Sequence, residues 1–297
     1  MDIREVHKQF CEYQSTMKNY RFDTIDTYQS SLKIFLKLMP EVTQIEEVTP
    51  ELAERFFYLG RTIRHWKPIT FVSYHKGLNV FYKWAQKNHI VEVNPFEKIE
   101  KPRLEKKLPT RLTKQEAKNL LETVRCHKWF NPFLKARNYA IFSMFLYCGL
   151  RKGELLRLQM TDVDLANLTV SIHQGKGNKD RIVPMPYQLR PILNTYLAER
   201  TRMNKTCEYF YVSFNDNRPL SIHGFEHMID LVKKASGIKF YPHMLRHTFA
   251  TLMLEGGCDI YALSKMMGHN DIKTTTIYLS ASVEHMRSQM VKHPLNI

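Results

Sequence analysis

Residues 241–279 read YPHMLRHTFATLMLEGGCDIYALSKMMGHNDIKTTTIYL, and four side chains capable of chemistry stand in them at defined places: His243, Arg246, His269 and Tyr278. Pro242 suits the first position of a helix, where its fixed φ is already helical and its missing N–H costs nothing. His243 and Arg246, three residues apart, then share one face near an N-terminus whose free N–H groups favour an anion, which suits a phosphate. Gly256-Gly257 closes this helix, Asp259 caps the next, Gly268 ends that one, and His269 falls in a tight turn before a last short helix carrying Tyr278. Taken singly, each histidine reads as a satisfied core or capping residue, and Tyr278 between Ile277 and Leu279 as a core aromatic. His247, on the same helix as His243, reads as a bystander.

Length and composition bound the rest. A chain of 297 residues fits two domains, each able to bury its own core. Lys and Arg number 44 against 29 Asp and Glu, a net charge of +15 spread along the chain, which favours a polyanionic partner. The five cysteines lie far apart without C-x-x-C or zinc-finger spacing, and read as reduced thiols. The N-terminus MDIREVHKQF has no apolar segment of signal-peptide type, and no run of about 18 apolar residues occurs. A cytoplasmic protein without membrane association is expected.

From Ile3 to Lys18, Asp23 to Leu38, Pro50 towards His65, and Thr70 to about Asn88, apolar residues recur at helical spacing. Phe22, Ile25, Tyr28, Leu32, Phe35 and Leu36 mark one buried stripe. Arg64, Trp66 and Lys67 stand at the mouth of the fourth helix; they suit contact with a phosphate and a sugar or base, and equally a solvated turn with Trp66 folded onto the core. EKIEKPRLEKKLPTRLT (Glu97 to Thr113) loses the periodicity and carries Pro102 and Pro109 among basic residues, as a linker does. Thr113 and Glu116 then form a capping box that opens the second domain. The apolar run from Asn138 to Cys148 suits a central buried helix ended by Gly149, with Arg151 just beyond, where an isolated arginine would ordinarily cap the helix end. Leu168, Val170 and Ile172 alternate with polar residues, GKGN turns the chain, and Arg181, Ile182 and Val183 return it, a hairpin with Lys176 near its tip. No Walker arrangement accompanies G-K-G, so ATP binding is not expected. Leu189 to Arg200 and Gly224 to Ala235 read as helices, and FYVSF before Asn215 as a short strand or buried run.

The order H-x-x-R, then G-H, then Tyr nine residues later resembles the C-terminal signature of the tyrosine recombinase (phage integrase) family. CGLRKGELLRL adds Arg151 in that family's G-L-R-x-x-E-L context, and VSIHQGKGNKDRIVPM adds Lys176 in its G-K-G-x-K-x-R-x-x-P hairpin. The resemblance therefore implies a catalytic set of Tyr278, Arg151, Lys176, His243, Arg246 and His269. Arg151 and Arg246 would clamp a DNA phosphate, His269 would bond the same oxygens, and His243 would do likewise or take the proton of Tyr278. Tyr278 would become a 3′-phosphotyrosine, and Lys176 would protonate the departing 5′-oxygen. On the same hairpin, Lys179 and Arg181 are candidate DNA contacts. The implied fold is mainly α with a small antiparallel β-sheet (α+β): a helical core-binding domain at 1–100, a basic linker at 101–112, and a catalytic domain at 113–297.

Recombination through a Holliday junction would need duplex DNA sites and a tetramer, of this chain alone or with a second recombinase, and an accessory DNA translocase is compatible with it. No cofactor and no metal are expected: His243 and His269 have no nearby ligand at metal spacing, and their neighbours are cations. The compact organisation looks Xer-like, so that chromosome-dimer resolution and mobile-element integration or excision both remain open. Two rivals are a type IB topoisomerase and a helix-turn-helix regulator. The regulator has no need of Arg151 or Lys176, and the topoisomerase does not account for G-L-R-x-x-E-L and H-x-L-R-H-T-F-A. After the nucleophile, Val283, Met286 and Met290 recur at helical steps in a tail expected to pack on its own domain or dock on a neighbouring protomer.

Overall fold

Asp2 starts the first helix by accepting from the backbone N–H groups of Arg4 and Glu5, at 2.8 and 3.2 Å. A computed structural model describes residues 1–20, 22–105, 109–173, 180–269 and 271–279. Lys176, Lys179 and the tail from 280 onwards lie outside the described residues. The chain divides into two units, Met1–Lys106 and Lys107–Ile297.

The first unit is helical: α1 (Ile3–Thr16), α2 (Phe22–Leu38), α3 (Pro50–Thr62) and α4 (Pro68–Lys87). Their apolar faces meet in an aromatic core, in which Phe10 packs on Phe81 (5.4 Å), Phe35 on Phe56 (5.1 Å) and Tyr82 on Phe96 (5.1 Å). The fourth helix begins at Pro68 rather than Thr70, because proline at the first position is preset for it. Trp66 takes the core alternative. Its indole lies 5.1 Å from Phe56 and 4.7 Å from Tyr74, and a Cβ on Gly60 would sit 2.1 Å from the ring, so only glycine lets it lie there. Arg64 and Lys67 on either side of it are exposed.

The second unit begins earlier than the capping box. Leu112 N–H donates to Thr248 Oγ1 (2.9 Å), Thr110 meets the Tyr241 hydroxyl (2.5 Å) and Arg111 pairs with Glu255 (3.2 Å), so the last residues of the expected linker are bound to this unit. Next come α5 (Lys114–Cys126), with the expected Thr113–Glu116 box, and α6 (Pro132–Cys148), which is buried nearly all round. Gly149 ends α6 in the left-handed region at φ 62°, and a Cβ there would meet the Phe249 ring at 2.2 Å. After α7 (Lys152–Arg157), β1 (Val163–Asp164), β2 (Thr169–Ile172) and β3 (Arg181–Pro184) form an antiparallel sheet in chain order. Then follow α8 (Leu189–Arg202), α9 (Ile222–Ser236), α10 (Pro242–Glu255), α11 (Ile260–Met267) and α12 (Lys273–Leu279).

The FYVSF run is buried without joining the sheet. Arg200 answers the carbonyls at its start and just before it, donating to Phe210 (2.8 Å), Tyr209 (2.5 Å) and Cys207, while the Tyr196 hydroxyl donates to Phe210 (2.8 Å). Among the described residues no helix is long and apolar enough to cross a membrane. The fold is the expected one, mainly α with a small antiparallel sheet.

Candidate functional site

Gly149 turns the chain so that Arg151 stands at the N-cap of α7 instead of capping α6. Glu154, one turn on, completes the cap by accepting from the Arg151 backbone N–H (2.8 Å), and its other oxygen accepts from Arg151 Nη1 (2.6 Å). Arg181 reaches the same carboxylate from β3 through both Nη atoms, at 2.9 and 2.7 Å, and Arg246 from α10 lies 3.9 Å away. Glu154 is thus a buried anion among three guanidiniums. Burial pushes its carboxyl up, but the hydrogen bonds and charge of Arg181, then Arg151, outweigh that and hold it at about 2.

The same three arginines close the end of α11. Arg181 Nε donates to Met266 O (2.8 Å), Arg246 Nη2 to Met267 O (2.5 Å) and Arg151 Nη2 to Gly268 O (3.2 Å). The last carbonyls of a helix lack internal partners and carry the negative end of its dipole, so each finds a cation here. Arg246 also donates to Gly149 O (2.7 Å), tying the α6–α7 turn to the α11–α12 turn. Burial, then the charge of Arg151, lowers its guanidinium to about 9. Gly268, in the left-handed region at φ 63°, presses on Arg181, whose Cδ would lie 2.9 Å from a Cβ there.

That turn delivers His269. Its Nε2 lies 3.3 Å from Arg246 Nη2 and its Nδ1 2.8 Å from Thr275 Oγ1. Because arginine only donates, Nε2 accepts and the ring hydrogen sits on Nδ1, an assignment made from the network. Burial and the charges of Arg246, Arg151 and Arg181 hold this ring neutral, with a pKa of about 4.

Tyr278 is only 2% exposed, and its ring lies between those of His247 (centroids 5.6 Å apart) and His269 (6.4 Å, 11° between planes). Burial raises its pKa, against the opposing charges of Arg246 and Arg151. The hydroxyl lies 2.8 Å from Nδ1 of His247, the residue expected to be a bystander. His243 is exposed, two places into α10, and stacks on His247 at 6.2 Å; it is not the histidine that meets the tyrosine. Burial and the charges of Arg246 and Arg151 lower its pKa.

The structure therefore brings Arg151, Arg246, His269 and Tyr278 to one place, with His243 at its edge. Arg181 belongs there too, but not as the expected DNA contact: its side chain is 8% exposed, and Nε and both Nη atoms are committed to Met266 and Glu154. Two residues of the site escaped the sequence reading. Glu154 was visible three places after Arg151, in capping-box spacing, and His247 four places after His243, on the same helical face. Among the described residues, no group of three or more His, Cys, Asp or Glu is disposed to hold a metal ion.

The sequence profile of the phage integrase family matches residues 110–285, and the tyrosine recombinase XerC of Bacillus pumilus (strain SAFR-032) is 33% identical over 98% of this chain and 96% of its own length. The chain belongs to the phage integrase family of tyrosine recombinases. Among solved members of this integrase family, XerA recombinase is 31% identical with a TM-score of 0.55, covering 98% of both chains. XerH site-specific recombinase, bound to palindromic difH substrate in a post-cleavage complex, aligns with a TM-score of 0.74 over 96% of this chain and 83% of XerH; at 20% identity that likeness is one of fold. Neither the topoisomerase nor the regulator reading is favoured by these relatives.

Proposed function

We propose that this site-specific recombinase cleaves duplex DNA by attack of Tyr278 on a phosphodiester. Arg151 and Arg246 hold the non-bridging oxygens in planar, permanently charged forks; His269, neutral with its hydrogen on Nδ1 toward Thr275, has no N–H left for those oxygens and instead steadies the Arg246 fork by accepting from it at Nε2. The Oη–P bond forms as the P–O5′ bond breaks. The 3′-phosphotyrosine keeps the bond energy, so the 5′-hydroxyl of another strand rejoins it without ATP. Lys176, from the family's hairpin motif, is assigned the acid that protonates O5′. The observation that carries the reading is the meeting, at the turn after Gly268, of Arg151, Arg246 and His269 with Tyr278.

Both domains, the helical core-binding one and the catalytic one, engage the duplex; the supports are the net charge of +15 and exposed Arg64 and Lys67 at the mouth of α4. Exchange between two duplexes joins four strands through a Holliday junction, and so uses four protomers assembled on DNA in the cytoplasm. The near full-length match to XerC favours a Xer-like role over mobile-element integration.

A nicked suicide duplex, whose short 5′ fragment diffuses away after cleavage, tests the nucleophile. A 3′-linked adduct that survives SDS should form with the native protein and be absent with Tyr278→Phe; an adduct persisting in that variant overturns the assignment.

A further inference from the structure

The phenol of Tyr278 must lose its proton as its oxygen bonds phosphorus, and that proton needs a receiver. The sequence reading offered His243, yet the ring nitrogen 2.8 Å from the hydroxyl is Nδ1 of His247. His243 stacks on His247, with ring centroids 6.2 Å apart. We propose that His247 is the general base of strand cleavage, taking the Tyr278 proton on Nδ1. The inference rests on Tyr278 being the nucleophile.

The step balances. Oη–P forms and P–O5′ breaks; the phenol proton passes to His247 Nδ1, O5′ takes a proton from the acid, and the imidazolium returns its proton to solvent through the half-buried ring. The groups facing His247 are His243 and Arg246 of its own helix, Tyr278 of α12 and His269 of the α11–α12 turn. Burial, then His243 and Arg246, hold its pKa at about 4, so the ring is neutral at physiological pH, and the tautomer with its hydrogen on Nε2 leaves the Nδ1 lone pair to accept from the Tyr278 hydroxyl. A base this weak is poor in the resting protein. As the phosphorane forms, however, negative charge arrives beside Arg151 and Arg246, offsets the cations that disfavour imidazolium, and raises the proton affinity of His247 at the moment of transfer.

The test is single-turnover adduct formation on nicked duplexes carrying either the ordinary phosphodiester or sulfur in place of O5′. A thiolate leaves without a proton, so the sulfur substrate bypasses the acid but still needs the base. His247→Ala should slow the adduct by about 10²-fold or more on both substrates, as expected for loss of a general base, and added imidazole should restore part of the rate. His247→Asn, which can accept a hydrogen bond from the hydroxyl but cannot take its proton, should stay slow while melting and binding duplex like the native protein; it also decides the question should the alanine variant fail to fold. Native rates, within about threefold, in either variant would overturn the proposal, the asparagine result meaning that His247 only holds the tyrosine. Failure of the underlying reading would look different, as an adduct in Tyr278→Phe.

Discussion

Replacing Glu154 by glutamine removes one negative charge from the centre of the site while keeping its shape. The magnitude follows from the native contacts. Glu154 accepts from the Arg151 backbone N–H, Arg151 Nη1 and both Nη atoms of Arg181, and its pKa is held at about 2 against an ordinary value of 4.5. A depression of that size corresponds to roughly 3 kcal/mol of stability, and breaking a buried pair while leaving its partner cations in place typically costs about 3–5 kcal/mol. The sign is that of a depressed carboxylate: the stabilisation is fully present above the unfolded pKa and is lost as pH falls through the folded one. At pH 7, Glu154→Gln should therefore lower the melting temperature of the second unit by roughly 10 °C, and the free-energy gap to the native protein should narrow by about 1 kcal/mol at pH 4, where the carboxyl of the unfolded chain takes up a proton while that of the folded protein stays ionised. Thermal and urea unfolding at the two pH values read both numbers. A loss under about 1 kcal/mol at pH 7, or a gap that does not change with pH, would refute the view of Glu154 as the counter-ion that lets three arginines share one buried site.

Arg246→Lys keeps the charge but loses the fork that spans Gly149 and Met267 and is proposed to hold the phosphate, so cleavage should fall by about 10²-fold or more while duplex binding stays within a few fold; equal losses would make the residue structural. Arg151→Ala should separate cleavage from binding in the same way, since one phosphate among many supplies little of the affinity. Affinity for duplex should drop about 10³-fold or more between 50 and 200 mM salt if 6 or more phosphates are contacted, and a flat response in filter binding would discredit engagement by both domains. Cleavage should continue in excess EDTA if, as proposed, Arg151 and Arg246 meet the phosphate charge; its abolition would mean that a cation takes part.

Reading the sequence went furthest where a residue's chemistry and its backbone role coincide. Pro242, Gly149, Gly268 and Asp259 mark helix ends by their own conformational preferences, and so placed Arg246, His269 and Tyr278 on the correct elements before any contact was known, and Arg151 just past α6, though the short α7 that it opens went unread. What spacing could not supply was pairing across elements. Arg181 looks like one more cation on a basic hairpin, and only the fold shows that Glu154, 27 residues earlier, binds both of its Nη atoms. Likewise, four-residue steps put His243 and His247 on one face, but the approach of α12, 31 residues beyond His247, decides which of them meets the tyrosine. Trp66 turned inward because Gly60 leaves room for its ring, a steric fact with no local signature. The two-residue strand β1 is too short to show a period.

The central claim is that the Tyr278 oxygen becomes bonded to DNA. Trapping the adduct on a nicked duplex, digesting protein and DNA, and sequencing the nucleotide-bearing peptide by mass spectrometry tests it directly. A single modified peptide is expected, with a 3′-nucleotide on Tyr278; the same modification on any other tyrosine, or on a serine or histidine, would overturn the assignment.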